Sequence, residues 1–375
     1  MTLYRFSQIA ANITVRVEPS DTDLERYVGL EHLDPESLKL RRWGSPSDVI
    51  GQKLKFWKGD IIYGKRRAYQ RKLAVADFDG ICSAHAMVLR AKPEVCLPEF
   101  LPFFLQSDLF HNRALEISVG SLSPTINWTT LAKQEFPLPP VDEQRRIADL
   151  LWAADDAIQR QDELINAALV TKKSFIEKIF SNAEVREVGE YAQSVTSGSR
   201  WWAKYYSESG DIFIRVANLT RESPKIDLTD LQYVTPPDGA EMERTKLQTG
   251  DLLISVTADL GRIGVVSEDF PRAFMSQHVA LVRLRTDQVI PEYVAYSLLS
   301  SSGQKQFHKL NDAGAKAGMN LQNVRRLKFA WQPYEQQIKV MEKFKAFEET
   351  IETARQHLEN QKELKKQLLN KTLSV

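Results

Sequence analysis

Cysteine is scarce in this chain of 375 residues, which contains only Cys82 and Cys96. Two thiols are too few for a disulfide framework or a cysteine-based zinc site. We expect both to be buried, reduced thiols of a cytoplasmic protein. The six histidines show no metal-ligand spacing. The composition therefore argues against a disulfide-rich secreted protein and predicts no metal site.

Long apolar runs and an excess of charge are also missing. No stretch approaches the roughly 18 apolar residues of a membrane span, and the start, MTLYRFSQIA, lacks the basic and apolar regions of a signal peptide. The chain has 50 Lys and Arg against 49 Asp and Glu, a net charge of +1. Any basic surface that binds nucleic acid must therefore be local.

Catalytic motifs are absent as well. The run Gly59–Lys65 is similar to the start of a phosphate-binding loop, but Arg66 stands where a Ser or Thr hydroxyl must reach Mg²⁺. There is no Gly-x-Ser-x-Gly nucleophile elbow and no Asn-Pro-Pro-aromatic motif of amino-methyltransferases. The sequence therefore offers no motif for catalysis, and a self-contained restriction enzyme would need a nuclease or methyltransferase motif that is not found.

The chain does contain an internal repeat. Ser83-Ala84-His85 returns as Ser276-Gln277-His278, and many further identities share the same offset of 193 residues. An offset that stays constant over nearly a hundred residues favours two related units over chance similarity. Each unit has a globular part with mixed β-like and helix-like runs, a proline-marked junction and a long helical segment.

This order predicts an α+β fold with pseudo-two-fold symmetry, in which two repeated mixed domains are joined by two long antiparallel helices. The expected segments are a first domain (1–141), a central long helix (142–182), a second domain (183–334) and a C-terminal long helix (335–375).

Both helical segments carry an apolar stripe at coiled-coil spacing. Two related helices in one chain can pair with each other, so we predict an intramolecular coiled coil; a homodimeric coiled coil is the alternative. The predicted packing residues are Ile147, Leu151, Ile158, Ile165, Phe344, Phe347, Ile351 and Leu358.

Positive charge is concentrated locally. Between Lys53 and Lys72 there are eight basic residues and one acidic residue, with tyrosines among them. Arg200, Trp202 and Lys204 form a second basic and aromatic cluster. Such clusters suit the neutralisation of DNA phosphates, although a merely solvated face is the alternative for each one alone.

The sequence resembles the specificity subunits of type I restriction-modification systems. The resemblance rests on the order of several motifs: the runs Tyr27–Leu33, Gly59–Arg67 and Ala76–Ser83, then the junction from Pro137-Leu138-Pro139-Pro140 into Asp142–Ile147. No single motif is specific to this family. The order of the motifs, the repeat and the two helices are specific to it when they occur together.

The resemblance implies a non-catalytic reader of DNA. Each domain would be a target recognition domain that reads one half of an asymmetric, two-part site in the major groove. The helices would set the gap and dock two methyltransferase subunits, which use S-adenosylmethionine and flip the target adenine out of the duplex. Motor-nuclease restriction subunits would add ATP- and Mg-dependent cleavage. The alternative is a pseudo-symmetric scaffold that binds only proteins.

The residues that we predict to contact DNA are Lys65, Arg66, Arg67, Tyr69, Arg71 and Lys72 in the first domain, and Arg200, Trp202, Lys204, Arg262 and Lys316 in the second. The bases that they read do not follow from the sequence.

Overall fold

The predicted mixture of strands and helices is present in the computed structural model, which describes residues 1–35, 37–198, 200, 202–310 and 318–373. The chain forms two compact units. Unit 1 contains residues 1–164 and 354–375, and unit 2 contains residues 165–353. Each unit therefore combines one globular part with segments of both long helices.

The strands of unit 1, whose ranges are given next, form three sheets. These are the two-stranded ribbon β1-β10, an antiparallel sheet in the order β2-β9-β6-β7 and a mixed sheet in the order β3-β5-β8-β4. The strands are β1 Thr2–Arg5, β2 Ala10–Ile13, β3 Arg16–Val17, β4 Tyr27–Val28, β5 Lys53–Phe56, β6 Ile61–Gly64, β7 Leu73–Val75, β8 Gly80–Cys82, β9 Ala86–Ala91 and β10 Glu135–Leu138. The helices are α1 Phe6–Ile9, α2 Leu101–Gln106, α3 Asp108–Glu116, α4 Trp128–Leu131 and the first part of α5 Val141–Phe180.

In unit 2, the corresponding sheets have the orders β12-β19-β16-β17 and β13-β15-β14-β18. The strands are β11 Val185–Glu187, β12 Ala192–Ser197, β13 Tyr206–Ser207, β14 Asp211–Ile214, β15 Tyr233–Val234, β16 Leu252–Ser255, β17 Ile263–Val265, β18 Ala273–Met275, β19 Val279–Leu284 and β20 Lys328–Ala330. The helices are α6 Val188–Tyr191, α7 Ala240–Thr245, α8 Pro291–Leu299, α9 Ser301–Lys309, α10 Leu321–Arg325, the second part of α5 and the first part of α11 Tyr334–Leu373, whose second part belongs to unit 1.

The two long helices pair in antiparallel fashion within each unit. In unit 1, Asp155 of α5 binds Lys365 of α11, whereas Gln161, later in α5, donates to the carbonyl of the earlier Ala354. In unit 2, Phe175 contacts the ring of Phe344, 5.4 Å away between centroids. The predicted intramolecular helix pair is therefore confirmed.

The predicted packing positions lie along this helix pair. Ile147, Leu151, Ile165, Phe344, Ile351 and Leu358 are buried, and Ile158 and Phe347 are partly buried. Ile147 and Leu151 also belong to the aromatic core of unit 1. The stripe therefore serves two purposes, since it joins the helices and closes the adjoining domain.

A buried glutamine in the first turn of α5 ties this helix to the globular part of unit 1. Gln144 is only 1% exposed. Its Oε1 accepts from the amide of Leu97 at 2.9 Å, and its Nε2 donates to the carbonyls of Val95 and Pro139 at 2.8 and 2.9 Å. Gln337, 193 residues later, is equally buried. One amide side chain thus satisfies three backbone groups that are shielded from water.

We expect Gln144→Ala to lower the free energy of unfolding by about 1–3 kcal/mol, because it leaves buried backbone groups without partners. Denaturant unfolding of the full chain measures this loss, provided that the slope of the unfolding free energy against denaturant concentration is the same for the wild type and the variant. Gln134→Ala is the matched control, since that side chain donates only to the carbonyl of Thr130 at the surface. Equal losses for the two variants would contradict the anchoring role of Gln144.

Candidate nucleic-acid interface

The predicted basic loop of unit 1 connects β6 to β7 and spans residues 65–72. Its backbone is unusual, because Arg67 and Arg71 have φ angles of 56° and 49° on either side of the short 3₁₀ turn Ala68–Gln70. The left-handed region is uncommon for residues other than glycine. The surrounding contacts therefore hold this loop in a defined and partly strained shape.

Those contacts come from the segment 119–126, which contains the Gly-Ser-rich run of the sequence. The amide of Ile126 donates to the carbonyl of Lys65 at 3.0 Å. The Arg66 Nε donates to the Ser123 Oγ at 2.9 Å, and the amide of Ala68 donates to a carbonyl of the same segment. The structure therefore places the basic loop and the Gly-Ser segment side by side.

The basic residues of this loop differ in how they are engaged. Arg71 pairs with Asp108 at 2.6 Å, and the Lys72 ammonium donates to the carbonyl of Leu30 at 2.8 Å. Arg67 is exposed, and its guanidinium has no hydrogen bond or ion pair within the described part of the chain. Tyr69 is 52% exposed. Arg67 and Tyr69 are thus more available to an external partner than the two residues that end the loop.

His85 lies beside the loop, with its Nε2 3.4 Å from the Arg66 Nη1. Burial lowers the pKa of His85, and the positive charges of Arg66, Lys65 and Lys53 lower it further. The ring therefore favours its neutral form, whose unprotonated nitrogen accepts a hydrogen bond from a guanidinium.

The corresponding loop of unit 2 follows β16; it shares one left-handed backbone position with the loop of unit 1, but its single arginine, Arg262, is balanced by Asp259. When Gly59–Ile62 is aligned with the similar run Gly250–Leu253, an offset of 191 residues, Ala258 takes the place of Arg67, and its φ is 65°. Thr257 forms a β-bridge with Gly318. The Asp259 carboxylate accepts from two arginines, and the hydrogen bond from Arg221 is the main cause that lowers its pKa. The loop shape is thus shared, but its chemistry is not.

The other predicted residues of unit 2 fall into different environments. Arg200 and Lys204 are exposed, and the Lys204 ammonium lies 4.8 Å from the centre of the Tyr205 ring. Arg262 donates to Asp259 and to the carbonyl of Leu219. Lys316 lies outside the described residues.

Trp202 requires a correction. It is only 4% exposed and packs in a small core against Phe213 and Phe274, with ring centroids 6.1 and 5.3 Å away. A side chain in this position is not available to stack on a base or contact a groove. A basic and aromatic run in sequence does not reveal which aromatic residue points inward, because a buried indole and an exposed one look alike.

Arg16 was not predicted, although it approaches the basic loop. β3 pairs with β5, which brings Arg16 opposite Leu54. Burial lowers the pKa of Lys65, and the charge of Arg16 lowers it further, so the two cations lie close together. Arg16 could have been placed beside the loop only by predicting that β3 pairs with β5, and these strands lie 36 residues apart in the sequence.

Comparison with known proteins bears directly on this site. Residues 47–168 match the family model described as the type I restriction modification DNA specificity domain. The predicted family resemblance is therefore confirmed. The matched range includes the basic loop, the Gly-Ser segment and the first turns of α5.

Type I specificity subunits are similar to this chain over more than the matched domain. The EcoDI specificity subunit of Escherichia coli is 28% identical over 184 residues, which cover 48% of this chain and 40% of that protein. The putative MjaX specificity subunit of Methanocaldococcus jannaschii is 22% identical over 374 residues, which cover 92% of this chain and 85% of that protein.

Solved structures from type I systems share the fold. A chain from a type I restriction-modification assembly has a TM-score of 0.63 at 18% identity, with 99% of this chain and 97% of that chain covered. The S subunit from M. genitalium has a TM-score of 0.59 at 15% identity, with 100% of this chain and 96% of that chain covered.

No helix within the described residues is long and apolar enough to cross a membrane.

Proposed function

We propose that this chain is the DNA specificity subunit of a type I restriction-modification complex. Each unit reads one half of a two-part DNA sequence, and the long helices set the unread gap and dock two methyltransferase subunits. S-adenosylmethionine chemistry belongs to those subunits, and ATP- and Mg-dependent cleavage belongs to restriction subunits. The chain itself reads without catalysing, and it acts in the cytoplasm.

The observation that carries this proposal is the position of the basic loop inside the range that matches a DNA specificity domain. Arg67 and Tyr69 extend from a loop whose backbone is fixed by the Gly-Ser segment. Fixed donors on a loop supported by a rigid sheet suit recognition of DNA, because little conformational freedom is lost on binding.

The docking of methyltransferase subunits has support from the surface of α5. Leu150 and Leu164 are 48% and 56% exposed, although they lie on a helix whose other face is buried. Apolar side chains on an otherwise polar helix face fit a protein partner.

Methylation mapping of host DNA tests the function. The full chain is expressed with the methyltransferase subunit encoded beside it, in a host without other methylation, and the same host without this chain is the control. We expect a two-part motif with N6-methyladenine that appears only when this chain is present. A stable protein complex that produces no new motif would instead favour the protein-only scaffold.

The basic loop should contribute phosphate contacts. We expect Arg66→Ala/Arg67→Ala to weaken duplex binding by the complex and to reduce the slope of log affinity against log salt by about 2, since each lost phosphate contact contributes about 0.9. Arg113→Ala/Lys133→Ala removes the same charge from unit 1 outside the loop. Equal slopes for the two double variants would remove the loop from the interface.

A further inference from the structure

A cleft of about 160 Å³ opens in unit 1 beside the basic loop. Its walls come from β2, β3, β5 and β9 and from the residues around α4. The lining consists of cations, side-chain amides and one indole, together with small and apolar residues. The polar and aromatic members are Asn12, Thr14, Arg16, Gln52, Lys53, Lys65, Asn127 and Trp128.

The cleft gathers three positive charges, those of Arg16, Lys53 and Lys65, and no carboxylate is among the described residues that line it. Like charges that converge without a counter-charge repel each other, and the repulsion is stronger where solvent is partly excluded. This arrangement favours an anion in the cleft.

Two of the three cations contact neutral acceptors. The Lys53 ammonium donates to the carbonyls of Ile50 and Gly51 at 2.5 and 2.7 Å, and the Arg16 Nη1 lies 3.5 Å from the Gln52 Oε1. Neutral acceptors do not cancel the charge of a cation, so the positive field in the cleft persists.

Lys65 is the cation of the cleft whose charge an anion would stabilise most. It is half-buried, and its ammonium has no hydrogen bond or ion pair within the described part of the chain. Burial lowers its pKa, and the neighbouring Arg16 lowers it further. An anion between these two side chains would remove that penalty, because it would stabilise the charged lysine.

We propose that this cleft holds one phosphate of the DNA backbone, with Lys65 as its direct ligand and Arg16 and Lys53 beside it. The inference rests on the proposed function and adds to it a fixed backbone contact in unit 1. The space suits a phosphate and part of its sugar. Side-chain amides and the Trp128 indole at the rim are suited to the neighbouring nucleoside.

The cleft distinguishes the two units. In the alignment of Gly59–Ile62 with Gly250–Leu253, Val256 occupies the position in unit 2 that corresponds to Lys65; it directly follows β16 and is only 5% exposed. An apolar, buried side chain cannot bind a phosphate. The backbone contact therefore belongs to the half of the DNA site that unit 1 reads.

Salt titration of duplex binding tests the cleft. The full chain in complex with its methyltransferase subunit is titrated with a duplex carrying the mapped methylation motif, as wild type, Lys65→Met and Lys133→Met. Methionine keeps the apolar stem of lysine, and Lys133 is an exposed lysine of unit 1 that does not line the cleft. Equal thermal unfolding midpoints check that both variants fold.

We expect Lys65→Met to reduce the salt slope by about 1 and to weaken binding by a similar factor for matched and mismatched duplexes, since a phosphate contact carries no base information. Lys133→Met should keep the wild-type slope. If the two variants have the same slope, the cleft proposal is overturned while the proposed function stands. If the wild-type complex shows no salt-dependent duplex binding, the proposed function itself fails.

Inorganic phosphate separates the two sources of the anion. At constant ionic strength, phosphate should compete weakly with the duplex for the wild-type complex and should not compete for Lys65→Met. Phosphate that raises the unfolding midpoint of the wild type, together with an unchanged duplex slope for Lys65→Met, would identify a free-anion site and overturn the assignment to DNA.

Discussion

Asp155→Ala is expected to lower the free energy of unfolding by about 3–5 kcal/mol, because it leaves the Lys365 ammonium buried without its partner. The two side chains are 8% and 10% exposed, and the Asp155 Oδ1 lies 2.5 Å from the Lys365 Nζ. The ammonium also lies 5.5 Å from the centre of the Phe103 ring, a position that offers little water. Denaturant unfolding of the full chain measures the loss.

Asp156→Ala is the control for this prediction, since it removes the same carboxylate one position further along α5. Asp156 binds Lys39 at 2.7 Å, but these side chains are 49% and 39% exposed. Exposed pairs contribute about 0–1 kcal/mol. Asp155→Ala/Lys365→Met should recover much of the loss, because it removes the orphaned charge together with its partner. Similar losses for Asp155→Ala and Asp156→Ala would show that the buried pair does not stabilise unit 1.

Phe344→Ala is expected to lower the free energy of unfolding by about 3–5 kcal/mol, the usual range for removing a buried aromatic ring. Phe344 is fully buried in unit 2. Its ring stacks on Tyr296 with centroids 4.2 Å apart, and it also contacts Phe175 and Phe180. The cavity would lie where α8 meets both long helices, so little collapse can fill it.

Phe347→Ala is the matched control, one turn further along α11. The centroid of its ring lies 5.6 Å from that of Phe175, but Phe347 is only partly buried. Removal of the ring therefore exposes surface instead of creating a closed cavity. We expect a smaller loss than for Phe344→Ala. The reverse order would mean that the seam between the helices, rather than the core of unit 2, carries the stability of this region.

The long helices could be predicted closely because their signal is local. Apolar spacing and the flanking prolines predict helices over 142–182 and 335–375, and the structure has them at Val141–Phe180 and Tyr334–Leu373. Lys172 is also visible from sequence as a polar residue in the apolar stripe. Its partner Glu348 is not, since the two are 176 residues apart and meet only when the helices pair.

The candidate interface could be predicted only in part, because charge is visible in a sequence and its pairing is not. The run of basic residues locates the loop, but Arg71 and Asp108 are far apart in the chain before they meet. Trp202 looked like a partner for a base and is a core residue. Whether the exposed residues contact DNA stays a prediction.

Polar side chains that recur 193 residues apart limit which substitutions this protein can accept during evolution. Lys365 and Asp155 stand 193 residues from Lys172 and Glu348, and both pairs bridge the helices. The aromatic ring beside the lysine differs between the units: Phe103 lies near Lys365, whereas Tyr296 lies near Lys172 and donates its hydroxyl to Glu348. This position can vary, since the two rings have similar volume.

An ion pair has no such freedom. Replacing Asp155 alone leaves the Lys365 ammonium buried without its partner, and replacing Glu348 alone does the same to Lys172, so the two members of each pair are expected to change together. These few positions should therefore drift more slowly than the apolar core around them, even while the exposed loops change their chemistry.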